Sequence, residues 1–243
     1  MLQYHHLATV DSTNAYLQRQ QAVTDIRNRV VSADEQTAGR GMGNNAWESE
    51  ARQNLTFSLA LDTRFLPAGQ QFLLSEAVPL GILCVLDGLL PKEKLSIKWP
   101  NDIYFETHKL GGILINSTIK ANMMDTSIIG IGINVNQLEF KDWPTNPISL
   151  RQATGLTYDL EVLLKSIAES VALQIGWLKE HRSEIEQEYL RRLFRYRTWA
   201  EYEVDGHAKR LFMTGIDAFG RLRLMDEAKE TLCFDVKQIK FRI

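Results

Sequence analysis

The chain has little cysteine, little proline and no long apolar run, and each shortage removes a class of protein. Its 243 residues include two cysteines, Cys84 and Cys233. They lie far apart in apolar surroundings, with no Cys-X-X-Cys or Cys/His spacing around them. A disulfide framework and a structural zinc site are thereby excluded, and both thiols are expected to be buried in a reducing compartment. No apolar stretch approaches the roughly 20 residues that span a bilayer, and the N-terminus lacks a secretion pattern. The expected location is the cytoplasm. A surplus of one charge is missing too. With 28 Lys+Arg against 30 Asp+Glu, the net charge is −2, unlike that of a dedicated nucleic-acid binder. Repeats and low-complexity segments are absent. The remainder, 44% hydrophobic and 24% charged, is an ordinary globular composition, long enough for one full domain and a small one.

The chemistry concentrates in residues 96–117, SIKWPNDIYFETHKLGGILINS. Pro100 has no amide donor and pushes Trp99 towards an extended backbone, so a first strand should end there. Asn101 and Asp102 then occupy a strand break, where side chains can project into a cleft. If the runs around Ile103–Phe105 and Lys109–Ser117 pair as a hairpin, Lys109 points into the same cleft. A carboxylate, an amide and an ammonium around one space suit an anion. A strand–turn–strand unit with a solvated lysine is the plain alternative.

Residues 4–10 read as a strand, and Ser12 or Thr13 caps a helix continuing to Gln20. A β-prone run at 29–34 leads into EQTAGRGMGNNAWESEARQ, a polar loop of unusual length for a compact domain unless it binds something. Gly39, Gly41 and Gly43 alternate through it. It is neither a dinucleotide fingerprint, because Asn44 replaces the third glycine, nor a Walker A loop. Arg40 within it is suited to two-point contact with phosphate or carboxylate. Residues 54–62 predict a buried strand, and 69–90 a central helix kinked at Pro79 and Gly81. In TSIIGIGINVNQ, a further strand, Gly130 and Gly132 mark a close approach, either of a ligand or of packing. A loop with Trp143-Pro144 and Asn146-Pro147 follows. Spacing of three and four predicts an amphipathic helix over 159–178. A second helix over 182–197 carries the basic run RRLFRYR on a solvated C-terminal end. From Thr198 short β-prone runs alternate with turns at Asp205-Gly206, Asp217–Gly220 and Asp226–Lys229, predicting a small antiparallel barrel of four or five strands. Residues 191–243 carry twelve basic and eight acidic residues, a surplus of four, against a deficit of six in the rest. The expected domains are 1–195 and 196–243.

DSTN, EQTAGRG with Trp47, KWPNDI, KLGGIL and GIGIN, closed by a small β-barrel, resemble in that order the biotin–protein ligases over nearly the whole chain. The resemblance implies an α+β fold. Its mixed β-sheet packed with helices is like the class II aminoacyl-tRNA synthetase and biotin ligase catalytic domains, followed by an SH3-like barrel. Because DSTN begins at Asp11, no room is expected for the helix-turn-helix repressor domain of some relatives, and the short monofunctional form is expected. The implied chemistry activates biotin with MgATP to biotinyl-5′-AMP, then transfers it to a lysine of a biotin carboxyl carrier protein, or of the carrier domain of a carboxylase or decarboxylase. By the same resemblance Lys109, Arg40 and Asp102 are catalytic. Ser12, Thr13, Asn14, Gln36, Gly39, Arg40, Lys109, Gly130 and Gly132 bind biotin. Gly39, Arg40, Gly41, Met42, Trp47, Lys98, Asn101, Lys109 and Asn134 border the adenylate. Asp102 has three open roles: orienting Lys109, orienting the incoming amine, or holding Mg²⁺. Monomer and homodimer both fit, and no nucleic acid or membrane partner is expected. Lipoate–protein ligase and a catalytically silent binding module are the alternatives. One departure stands out: the loop reads GRGMGNNAW, with Met42 where relatives often carry a second arginine.

Overall fold

The computed structural model describes residues 1–43, 45–140 and 146–243. Asn44 and the Trp143-Pro144 pair lie outside the described residues. Seven strands form the main sheet: β1 (Gln3–Val10), β2 (Arg29–Gln36), β3 (Leu55–Asp62), β4 (Leu95–Lys98), β5 (Asp102–Phe105), β6 (His108–Lys120) and β7 (Met123–Ile133). Their spatial order is β1-β2-β3-β7-β6-β5-β4. Among the described strands β1 and β2 alone pair with each other in parallel, joined by helix α1 (Thr13–Gln21). The carboxyl ends of such a pair are where open sheets place ligands.

Alternation along β3 divides the protein into two layers. Leu55, Phe57, Leu59 and Leu61 enter the main core with helices α2 (Phe72–Leu86) and α4 (Leu160–Trp177), while Ala60 faces α1 with Leu17, Ile26, Val31 and Ile128. Thr56 and Ser58, on that second face, leave polar groups under a cleft. Helix α2 continues through Pro79. Gly81 serves close packing: a Cβ there would sit 2.6 Å from the Val171 Cα of α4. A five-residue helix, α3 (Leu150–Thr154), has a capping box between Ser149 and Gln152, and Asp159 caps α4 through two amides.

Helix α5 (Arg182–Arg192) ends earlier than the basic run predicts. Leu193 is extended and bridges Ile97 of β4. The run is solvated only in part, at Arg191 and Arg197. Arg192 is buried and makes two bonds, of 2.9 and 2.8 Å, to Asp87, and Arg195 donates to the carbonyls of Glu201 and Arg242. Tertiary partners override the periodic signal here.

The remaining strands, β8 (Trp199–Val204), β9 (His207–Ile216), β10 (Leu222–Met225), β11 (Thr231–Phe234) and β12 (Ile239–Phe241), form a second, antiparallel sheet in the order β11-β10-β9-β8-β12. Asp205 and Gly206 turn the β8–β9 hairpin with positive φ at both positions. The thiol expectation fails: Cys84 and Cys233 are both exposed. Leu83 and Phe234 take the inward positions beside them, leaving the sulfurs on the outer face of α2 and of the edge strand β11. No helix among the described residues is long and apolar enough to cross a membrane.

Candidate active site

A cavity of about 430 Å³ opens on the Thr56/Ser58 face of the main sheet and runs across it from α1 to β4. At the α1 end, Ser12 caps the helix by accepting from the Ala15 amide, so the capping and cavity readings of DSTN hold together. Gln36 Oε1 accepts from the Thr13 amide at 2.8 Å and from its hydroxyl at 3.1 Å. The Thr13 and Ser58 hydroxyls are 2.9 Å apart. Asn14 Oδ1 accepts from Gln18 at 2.7 Å and Asn116 at 2.9 Å. With both donors on the oxygen, Asn14 Nδ2 turns towards Gly130, buried and without a partner among the described residues. This end of the cavity therefore offers fixed, directional polar groups.

The centre is built by the KWPND turn and the strand after it. Asp102 pairs with Gly112 across β5 and β6, and the register slips by one residue between Ile103 and Tyr104. The bulge swaps the alternation of β6 so that Lys109 shares the face of Gly112. Its Nζ reaches Asp102 Oδ1 at 2.7 Å, with both side chains mostly buried. The Lys109 ammonium is thus held against the Asp102 carboxylate. Among the described residues no group of three or more His, Cys, Asp or Glu side chains is placed to hold a metal ion.

The loop over the centre is closed by a bridge between Arg40 and Ala46. The Trp47 indole lies flat on the strands, and a Cβ at Gly132 would overlap its ring. Lys109 Nζ is 5.9 Å from the ring centroid. The indole Nε1 is buried and has no partner among the described residues. Arg40 is exposed at the rim of the cavity, with Gly41 and Met42 beside it. Arg52, beyond the loop, bonds Asp34 at 2.9 Å and does not line the cavity.

At the β4 end lie Lys98, Trp99, Pro100 and Asn101. Trp99 is buried, and its Nε1 donates to the Gly220 carbonyl of the second sheet at 2.9 Å. Asn101 lines the cavity but spends its amide on the Ile113 carbonyl at 2.7 Å. Burial lowers the Lys98 pKa from its ordinary value. Burial raises that of Tyr104.

Of the residues singled out in sequence, Ser12, Thr13, Asn14, Gln36, Arg40, Gly41, Met42, Trp47, Lys98, Asn101, Asp102, Lys109, Gly130 and Gly132 meet in this one cavity. Gly39 and Asn134 do not line it. Gly39 instead packs against the Trp47 carbonyl, which a Cβ there would strike. Asn134 is buried and donates to the carbonyls of Lys109 and Ile148 at 3.3 and 3.2 Å, so it steadies the strand of Lys109 from behind. Sequence reasoning passed over Asn45, Thr56 and Ser58, and also Val236, Ile239, Lys240 and Phe241 of the second sheet. Polar residues at alternate positions of an apolar strand were a usable signal for Thr56 and Ser58. The last four carried none.

Comparison with known proteins gives a consistent frame. The chain is 30% identical over 174 residues to a biotin–[acetyl-CoA-carboxylase] ligase of Paracoccus denitrificans, covering 68% of this chain and 70% of that one. It is 35% identical over 146 residues to the bifunctional ligase/repressor BirA of Bacillus spizizenii, but spans only 43% of that relative's length. Its fold matches the biotin protein ligase of Aquifex aeolicus, solved with biotin and ATP. The TM-score is 0.80 at 24% identity, covering 100% of this chain and 99% of that one. Residues 7–134, just over half of the chain and most of the cavity, match the Biotin/lipoate A/B protein ligase family, to which this chain belongs.

Proposed function

We propose that the protein is a biotin–protein ligase: it condenses biotin with MgATP to biotinyl-5′-AMP and pyrophosphate, then passes the biotinyl group to a lysine of a biotin carboxyl carrier domain. The observation that carries the choice is the polar α1 end of the cavity. A ureido ring has a carbonyl acceptor and two N–H donors for the fixed Ser12, Thr13, Asn14, Gln36 and Ser58 groups. A lipoyl dithiolane has none, and would leave the buried Asn14 donor unpaired, at a cost of about 1–3 kcal/mol for such a group.

In the first step, two anions must meet. Arg40 and Lys109 neutralise the biotin carboxylate and the α-phosphate, and Asp102 holds the Lys109 ammonium between them. A carboxylate oxygen forms a bond to the α-phosphorus while its bond to the pyrophosphate oxygen breaks. In the second step the amine nitrogen of the carrier lysine attacks the biotinyl carbonyl carbon, AMP leaves, and the amine proton is lost to solvent. Trp47 and Met42 cover the mixed anhydride against water.

The test is pyrophosphate release from MgATP with biotin, with lipoate and with neither. Release that depends on biotin alone supports the reading. Release with lipoate only, or with neither acid, overturns it.

A further inference from the structure

Lys98 is a cation for which the two steps above leave no task. It lies on the last strand of the main sheet, two strands beyond Lys109 in the order β6-β5-β4. Its cross-strand partner in register is Asp102, but that carboxylate is held by Lys109. Among the described residues, no carboxylate comes within ion-pair distance of Lys98. Its Nζ is 3.2 Å from the Tyr104 hydroxyl. It stands 5.0 Å from the centroid of the Tyr104 ring and 5.4 Å from that of Phe241, which belongs to the second sheet. Burial is the main influence on its ammonium and disfavours the charge. Asp102 opposes that effect, and Lys109 and Arg195 reinforce it. A half-buried ammonium that donates to the Tyr104 hydroxyl, lies beside the Phe241 ring and opens to a cavity is placed to receive an anion from that cavity.

The order of strands says which anion. The polar pocket for the ring acid is at β2 and β3, and the reacting centre is at Lys109 on β6. Strands are spaced by about 4.8 Å, so β4 lies roughly 10 Å further along the same line. In an in-line displacement the leaving group departs on the side opposite the attacking carboxylate. We infer, building on the ligase reading, that Lys98 binds the departing pyrophosphate, and that Phe241 is a positioning residue which makes the second sheet part of the adenylation machinery. The bond from the α-phosphorus to the bridging oxygen breaks with its electron pair going to pyrophosphate. No proton moves at that centre, and the Lys98 ammonium offsets the charge that develops.

The reverse reaction isolates this contact: preformed biotinyl-5′-AMP and magnesium pyrophosphate return ATP and biotin. Lys98→Met is expected to weaken the dependence on pyrophosphate by roughly 10²-fold or more, the scale for losing one electrostatic partner of a transition state. Discharge of the adenylate to hydroxylamine, which involves no pyrophosphate, is expected to fall far less. Phe241→Leu is expected to weaken the pyrophosphate dependence about 3- to 30-fold, the range of one cation–ring contact. Phe241→Tyr restores it, and Phe241→Leu adds nothing further in a Lys98→Met background. Trp199→Ala, an exposed aromatic of the same sheet outside the cavity, leaves the native behaviour. Three results overturn the inference: an unchanged pyrophosphate dependence in Lys98→Met, effects of the two substitutions that simply add, or equal loss in hydroxylamine discharge. If Phe241→Leu does not fold, Lys98→Met alone decides whether the pyrophosphate contact exists, and Phe241→Tyr against Phe241→Met decides the role of the ring. A native protein that releases no pyrophosphate with biotin would instead refute the ligase reading.

Discussion

Glu76 carries a cost of folding that grows with pH. It lies on the inner side of α2, 8% exposed, and its Oε2 has no hydrogen-bond partner among the described residues. Burial, and secondly Glu186 of α5, raise its pKa from 4.5 to about 8. The buried Tyr189 hydroxyl, also of α5, faces it and is likewise unpartnered. Between pH 4.5 and 8 the folded protein therefore keeps a proton that the unfolded chain has released. Stability falls as pH rises through that window and levels off above it. At about 1.4 kcal/mol per pH unit, holding the proton at pH 7 costs about 3 kcal/mol. Glu76→Gln keeps the shape and removes the titration. At pH 7 it should be more stable by about 2–4 kcal/mol, or roughly 5–15 °C in melting temperature for a chain of this size. Urea unfolding of both proteins at several pH values between 4.5 and 8 measures this. Other titrating groups are common to the two proteins and cancel in the difference. Parallel stability curves, or a native protein at least as stable as Glu76→Gln at pH 7.5, would refute the reasoning.

Lys109→Ala should lower the adenylation rate by roughly 10²–10³-fold while leaving the melting temperature close to native, because the lysine supports a cleft and not a core; unaltered adenylation in the folded variant removes it from the mechanism. Met42→Arg should lengthen the dissociation half-life of biotinyl-5′-AMP about 10-fold, since a charge-assisted hydrogen bond is worth about 1.5–3 kcal/mol and Arg52, tied to Asp34, does not supply one; a half-life left unchanged or shortened counts against it. Gly132→Ala should displace the Trp47 indole and depress adenylation with little change in secondary structure, measurable by pyrophosphate release alongside tryptophan fluorescence; a native emission spectrum would show that the ring had not moved.

The main sheet was legible because its signals are local. β-prone and apolar runs mark β2 and β3, Pro100 stops β4, and Ser12 opens α1. The glycine-and-arginine loop and the KWPND turn could be found for a similar reason: their composition is poor for a core. Three things were not legible. The bulge that turns Lys109 into the cavity depends on register between strands, which spacing along one strand does not encode. The outward turn of Cys84 and Cys233 depends on which of two apolar neighbours meets a partner. The four cavity residues from Val236 to Phe241 come from a separate sheet, brought to β4 by the Leu193–Ile97 bridge and by the Trp99–Gly220 hydrogen bond. Only tertiary structure creates that neighbourhood. The same contact bears on what removing residues 198–243 would do to adenylation and to transfer to the carrier. With Phe241 in the wall of the cavity, both steps should suffer.

The meeting of α2 and α4 at Gly81 limits how the protein can be engineered. Helix propensity ranks Gly→Ala in a helix interior as an improvement of about 1 kcal/mol, and a surface-blind thermostabilisation scan would put position 81 near the top. Here the added methyl would stand 2.6–2.9 Å from the Val171 backbone, a neighbour that cannot rotate away as a side chain could. The helices would have to separate, and α2 also packs on β6, the strand of Lys109. A change meant to stiffen the back layer of the protein would thus be read out at the front, as a loss of catalytic alignment.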